Sequence, residues 1–269
     1  MRRHATQLLR ALGGRRVRAS SPQGRFASGA ELLDGRVLRS TDAHGKHLFA
    51  GFAASERGRP DRWLHVHLGL YGAWLQQQHG AQDDPEPPRG AVRLRLTADG
   101  TTADLRGPTA CEVLTPPQVQ AVHDRLGADP LRKDADPAAA WDRVRRSRTP
   151  VGALLMQQEV VAGVGNVYRA EVLFRAGIDP HRPGAGVGRD DWDGLWQDLV
   201  VLMRAGVRAG RIVTTRPEHR SRRTGTVTRD DAHYVYRRMG LPCRVCGTPV
   251  LAEPFVARTL YRCPVCQAA

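Results

Sequence analysis

The residues best equipped for chemistry lie near the C-terminal end of this 269-residue chain. Cys243-x2-Cys246 is followed, sixteen residues on, by Cys263-x2-Cys266. Two such knuckles set four thiolates tetrahedrally around one Zn²⁺, and four protein ligands leave no open position, so this zinc is structural and not catalytic. The tail 239–269 has too little core to fold alone, and metal binding would supply the missing free energy. Two disulfides would use the same cysteines, but they need an oxidising compartment for which the chain shows no signal. Cys111, the fifth cysteine, is left unpaired and is expected to be buried. A second group is AGVGNVYRAE (162–171). Gly163 and Gly165 permit a tight turn between helices, and Asn166 at the next helix's N-terminus offers a phosphate free N–H groups and an amide. An ordinary helix–turn–helix corner would contain the same glycines. The third candidate is Lys46 in AHGKHLF (43–49), at a turn opening a strand. Of 41 basic residues only Lys46 and Lys133 are lysine, so an amine here suggests that size or reactivity matters, although solvated turn lysines are common.

The elements that must position these groups change character along the chain. The opening residues place Ala5, Leu8, Leu9 and Leu12 on one helical face, with Gly13-Gly14 as a stop. Short strands follow at 46–52, 63–68 and 92–97. Leu64, Val66 and Leu68 alternate with Trp63, His65 and His67, and Val92, Leu94 and Leu96 with Arg93, Arg95 and Thr97, which predicts antiparallel sheets with one face on a core. Residues 79–90, HGAQDDPEPPRG, read as a loop. From Pro116 the pattern becomes helical, at Pro117 to Leu126 and Ala138 to Val144. A helix capped at Thr149-Pro150 is predicted to run to Ala162 and stop at Gly163. Two more run from Asn166 to about Ala176 and over 192–207, the latter with Trp192, Leu195, Trp196, Leu199, Leu202 and Met203 as its stripe. Residues 211–232 are expected to be a poorly packed basic linker.

Charge points to the partner. The formal net charge is +14. Ten arginines against three acids between Val200 and Arg238 hold half of that excess. Such concentration favours a polyanion bound through its phosphates, although an arginine-rich codon bias would raise the charge too. Charge alone leaves DNA, RNA and an anionic membrane open. No apolar run approaches the ~18–20 residues of a membrane span. The acid-free opening stretch has the look of a transit peptide, but its apolar face fits a packed helix better, and the expectation is a soluble, cytoplasmic monomer.

Taken together these motifs carry a resemblance. GVGN-x-Y-x-x-E resembles the helix–two-turn–helix motif of the Fpg/Nei (formamidopyrimidine-DNA glycosylase/endonuclease VIII) family. HGKHL resembles the segment bearing that family's strand lysine, and ARTLYRCPVCQ (257–267) its zinc finger, whose hairpin arginine precedes the third cysteine. HLGLYG (67–72) is similar to the segment that usually carries an intercalating methionine, and DLRGPT (104–109) to the next loop. SSPQGRF and PVGALLMQQ resemble the actinobacterial Nei-like branch.

The resemblance implies an α+β protein: an N-terminal antiparallel β-sandwich with an opening helix (1–115), a helix–two-turn–helix DNA-binding domain with a basic linker (116–232), and a four-cysteine zinc finger (233–269). It implies damaged DNA as partner, bound in a cleft between lobes with the damaged base flipped out of the stack. A base-excision glycosylase with AP-lyase activity follows, cleaving by β/δ-elimination after an N-terminal proline amine attacks the anomeric carbon beside an acidic glutamate. Lys46 would contact phosphate and assist β-elimination. Asn166 and Arg258 would clamp the phosphates flanking the lesion, Arg258 also serving δ-elimination, and Leu70 would fill the duplex gap, where an apolar wedge needs only volume. The sequence departs from the family in opening Met1-Arg2-Arg3 where Pro-Glu is usual. About seven residues are expected upstream of the start given, and the alternative is a protein that binds damaged DNA without cutting it. The usual Arg-Phe of the second loop is also not present in DLRGPT. A zinc-ribbon RNA-binding or transcription accessory protein is a third reading of the zinc and charge, opposed by the two-turn motif.

Overall fold

A computed structural model describes residues 1–80 and 85–268, and the chain divides into two compact units, Met1–Arg125 and Leu126–Ala269. The first begins with α1 (Arg2–Leu12), which buries Ala5, Leu8 and Leu12, three- and four-residue spacing giving one face. Leu9, expected on that stripe, lies at its edge, 36% exposed. Then come β1 (Arg18–Ser20), α2 (Ala27–Leu33), β2 (Val37–His44), β3 (His47–Ala53), β4 (Arg62–His67), β5 (Ala73–Gln78), β6 (Val92–Ala98), β7 (Thr101–Arg106), β8 (Ala110–Leu114) and α3 (Pro116–Asp124). The strands form two four-stranded antiparallel sheets, ordered β2-β3-β4-β8 and β1-β6-β7-β5. Leu8, Leu12, Leu48, Phe52, Leu64, Val66, Leu94 and Leu105 fill one core from α1 and both sheets, which is the expected sandwich.

The alternation along β4 and β6 misled in one respect. His65 and Arg95, placed on the polar face, are buried. Phe49 and His65 stack at 4.9 Å, and His123 of α3 lies 4.7 Å from Phe49, so α3 covers the face of β4 opposite the core. Arg95 is held bidentately by its cross-strand partner Asp104 at 2.7 and 2.8 Å, the compensation a buried charge requires. In the loop expected over 79–90, the residues at its two ends carry no helix or strand, while 81–84 lie outside the described residues.

The second unit holds α4 (Pro137–Val144), α5 (Val151–Leu154), α6 (Asn166–Arg175), α7 (Arg189–Ala209) and a hairpin of β9 (Leu251–Phe255) and β10 (Arg258–Arg262). Its helical core gathers Val151, Leu154, Val164, Leu173, Trp192, Leu195 and Leu199. A smaller cluster of Ala170, Phe174, Tyr234, Val235 and Val250, with Tyr261 of β10 packed against it, joins α6 to the hairpin. The helix predicted from Thr149 to Ala162 stops at Leu154. Beyond it the Gln158 side chain replaces helical bonds, accepting from Gly163 N–H at 2.9 Å and donating to the Val164 carbonyl at 3.1 Å. Gly163 sits at φ +91, where glycine is the low-cost residue. Residues 211–232 are better anchored than a linker: Thr214, Thr215 and Asp231 are buried. Thr215 Oγ1 donates to the Asp231 carbonyl at 2.6 Å.

Candidate nucleic-acid interface and metal centre

The four cysteine sulfurs lie within 4.8 Å of one another. Cys246 and Cys263 are 3.4 Å apart and Cys243 and Cys266 3.8 Å, against about 3.8 Å for the edge of a tetrahedron with 2.3 Å metal–sulfur bonds. Val245 and Cys266 amides point at Cys243 and Cys263 sulfurs at 3.5 and 3.4 Å, which favours thiolates. The donor set therefore fits one metal ion. Cys111 lies outside it, half-buried, its thiol pushed up to about 12 by burial.

The knuckles anchor a hairpin whose two loop residues, Val256 and Ala257, have φ +45 and +55. Two positive values suit the twist of a two-residue hairpin, but a β-branched residue there is strained. Arg258 follows directly, exposed, at the start of β10. Asn166 Nδ2 donates to the Thr259 carbonyl at 2.9 Å, which ties the N-terminus of α6 to the hairpin. Asn166 and Arg258 consequently line one cleft of ≈ 460 Å³ with Tyr236 and Arg237. The first N–H groups of α6 have no partner within the helix. Gly165, which precedes them, offers no side-chain cap.

Arg169 was not singled out from sequence. It is fully buried, with Nη2 donating to Asn166 Oδ1 and, at 3.1 Å, to the Thr259 carbonyl. Burial, with Arg258 adding repulsion, pushes its guanidinium down to about 10, so it remains charged at neutral pH. It fixes which way the Asn166 amide points.

In the first unit, Gly45 and Lys46 form the two-residue β2–β3 turn, Gly45 at φ +57. The Lys46 charge lies close enough to His67, paired with His47 across β3–β4, to contribute after burial to lowering its pKa. Leu70 follows on the β4–β5 connection, 72% exposed, and Tyr71 beside it is 90% exposed. Sequence reading picked out Leu70 and missed Tyr71, although the adjacent Gly69 and Gly72 signalled the exposed turn. Thr109 packs alongside, its N–H bonded to the His67 carbonyl at 2.9 Å. The structure thus brings Lys46 and Leu70 to one end of the first unit, and Asn166 and Arg258 into one cleft of the second.

Beneath Lys46 lies a chain of imidazoles that the sequence reading did not connect. Glu112 meets His65 at 2.7 Å and His65 meets His47 at 2.8 Å. Burial foremost, then the neighbouring His65, His67, His44 and Arg125, lowers the pKa of His47 to about 4. The unfolded chain therefore takes up this proton first. Stability from neutral His47 is complete above about 6.5 and is lost as pH falls towards 4, a loss on the order of 2–3 kcal/mol. Thermal unfolding of the first unit between pH 7 and 4 should show this loss, and His47→Phe should flatten the profile. Parallel profiles would contradict it.

The chain thus combines a two-sheet sandwich unit with a helical unit that carries a two-turn motif and a four-cysteine hairpin. Residues 2–111 match the formamidopyrimidine-DNA glycosylase N-terminal domain and 126–217 the formamidopyrimidine-DNA glycosylase H2TH domain. Endonuclease 8 1 of Mycobacterium tuberculosis is 48% identical over 258 residues, covering 96% of this chain and 94% of that protein. The formamidopyrimidine-DNA glycosylase of Streptomyces avermitilis is 32% identical over 89% of this chain and 83% of its own. The crystal structure of the MutM (Fpg) protein from Thermus thermophilus superposes with a TM-score of 0.75 at 25% identity, covering 98% and 96% of the two chains. The chain belongs to the Fpg/Nei family of formamidopyrimidine-DNA glycosylases. No helix among the described residues is long and apolar enough to cross a membrane.

Proposed function

We propose that this protein binds damaged DNA and serves base-excision repair as a DNA glycosylase with AP-lyase activity, acting on oxidised bases. The observation that carries the binding half is the cleft in which Arg258 and the uncapped N-terminus of α6 meet, tied by Asn166 to the Thr259 carbonyl. A helix N-terminus and an exposed guanidinium side by side suit a backbone phosphate. In this reading Asn166 and Arg258 hold the phosphates flanking the lesion, and Arg258 also serves δ-elimination. Lys46 contacts phosphate and assists β-elimination, and Leu70 with Tyr71 forms the wedge left in the stack when the base is flipped out. One zinc ion in the four-cysteine cluster is structural: it holds the hairpin that presents Arg258.

Arg258→Ala should weaken binding to an abasic-site duplex by about 1.5–3 kcal/mol, roughly 10- to 150-fold, through lost charge-assisted hydrogen bonds. Metal content should not change, since Arg258 is not a ligand. Equal affinities at matched salt would sink the assignment, and matching is essential because every phosphate contact is salt-dependent. The lyase half is tested by borohydride trapping on the same duplex, with protein carrying the family's Met-Pro-Glu opening and the short connecting segment upstream of α1. A covalent adduct supports lyase chemistry, whereas tight binding without one supports the reading as a damaged-DNA binder that does not cut.

A further inference from the structure

Between α7 and the hairpin, the chain folds round a second cavity, of ≈ 560 Å³, that the phosphate cleft does not account for. Arg229, Arg237, Arg238 and Arg244 line it with His233, and Asp230 is the one acid in the lining. Two of these arginines are committed to the fold. Arg238 donates to the Tyr234 and Pro242 carbonyls at 2.6 and 2.9 Å. Arg244 donates to the His233 carbonyl at 3.0 Å and pairs with Asp231 at 3.1 Å. Arg229 and Arg237 make no ion pair among the described residues, and the buried Nε2 of His233 has no hydrogen-bond partner there. The cavity is thus a basic concavity with unspent donors.

Arg237 adopts φ +57, a left-handed conformation that favours glycine. The cause is next to it in sequence: the N–H groups of Tyr234, Val235 and Tyr236 all converge on the Glu171 carboxylate. This arrangement bends the backbone and leaves Arg237 to absorb the turn. Its guanidinium lies 5.5 Å from the centre of the Tyr236 ring, and that ring is braced edge-on by His233 and Tyr261. A charged residue kept in a strained conformation beside a braced aromatic is the pattern of a ligand clamp. Tyr236 and Arg237 also line the cleft of Asn166 and Arg258, so they form a wall common to both concavities.

We infer that the second cavity is a further phosphate site, taking a backbone phosphodiester of the same DNA outside the pair flanking the lesion, with Arg237, Arg229 and His233 as its donors. The inference rests on the DNA-binding reading above. A polyanion whose charges repeat along a strand fills adjacent basic concavities, whereas a small free anion would need only one of them.

The informative variant is Arg237→Gly, because it removes the charge while relieving the backbone. It should melt no lower than the wild type yet bind a duplex carrying a tetrahydrofuran abasic analogue about 5- to 10-fold more weakly. The slope of log K against log salt should fall by about 0.9, the value of one phosphate contact. Arg229→Ala should act in the same direction. Unchanged affinity and slope in both variants, while Arg258→Ala still weakens binding, would overturn this inference and leave DNA binding intact. Unchanged binding in Arg258→Ala as well would remove the reading beneath it. Inorganic phosphate that protects the wild type but not Arg237→Gly against heat, with DNA affinity equal in the two, would assign the cavity to a free anion and overturn the inference.

Discussion

Stripping the metal from Cys243, Cys246, Cys263 and Cys266 should abolish high-affinity DNA binding while leaving the helical core of the second unit folded. The two strands of the hairpin bury little of their own: β9 has no buried residue, and β10 buries only Leu260. A two-stranded hairpin is marginal in water without such support, and a bound structural zinc is worth ~10–16 kcal/mol in small finger peptides. The helical core around Trp192 and Leu199 is built from other residues and does not share the metal. Loss of the ion should therefore release residues 251–262 and the Arg258 guanidinium they carry. Elemental analysis should give close to one zinc per chain. After chelation, or in Cys263→Ser, amide exchange across β9 and β10 should approach that of an open chain, with affinity for abasic DNA down more than 100-fold. A metal-free protein with protected hairpin amides and undiminished affinity would show that the cluster is dispensable.

The order of elements was legible because burial leaves periodic marks. Ala5, Leu8 and Leu12 announce α1, Leu64 and Val66 announce β4, and the stripe from Trp192 to Met203 announces α7. The cysteine spacing announced the cluster, since a tetrahedral site dictates short knuckles. Periodicity failed where a second covering layer or a polar side chain took over from the backbone. His65 alternates as a solvent-facing residue would, yet α3 covers it, and nothing within β4 reports a helix fifty residues on. Val160, Val161 and Ala162 are as apolar as a helix interior, but the chain turns there. Val160 and Val161 N–H both meet the Gln157 carbonyl, Ala162 N–H goes to the Ala128 carbonyl, and the Gln158 side chain takes Gly163 N–H and the Val164 carbonyl. Asn166 and Arg258 could be paired only through family resemblance. Their proximity depends on a hydrogen bond between residues 93 apart, which no local pattern encodes.

Glu171→Ala should be the most damaging single substitution in the second unit outside the cysteines. The side chain is fully buried, and the family resemblance carries this glutamate only as the last letter of its motif. Its carboxylate accepts N–H bonds from Tyr234 at 2.7 Å, Val235 at 2.9 Å and Tyr236 at 2.8 Å, and the Thr214 hydroxyl as well. It therefore joins α6 to two segments 43 and up to 65 residues further on. Alanine would strand three backbone donors that cannot move without unfolding the turn, whereas the Thr214 hydroxyl can turn to the Ala232 carbonyl at 3.1 Å. One unsatisfied buried group costs ~1–3 kcal/mol. The three are not additive, because the segment will loosen and admit water, so ~3–5 kcal/mol is the expected loss. Glu171→Gln keeps the volume but turns an NH2 towards amide donors, so it should recover only part of the loss. Since Tyr236 and Arg237 wall both basic concavities, affinity for abasic DNA should fall alongside stability. Urea unfolding of the two variants measures the first effect and binding at matched salt the second. A loss below ~1 kcal/mol in Glu171→Ala would mean that the turn at 234–236 holds without its carboxylate, and the bent conformation of Arg237 would then need another cause.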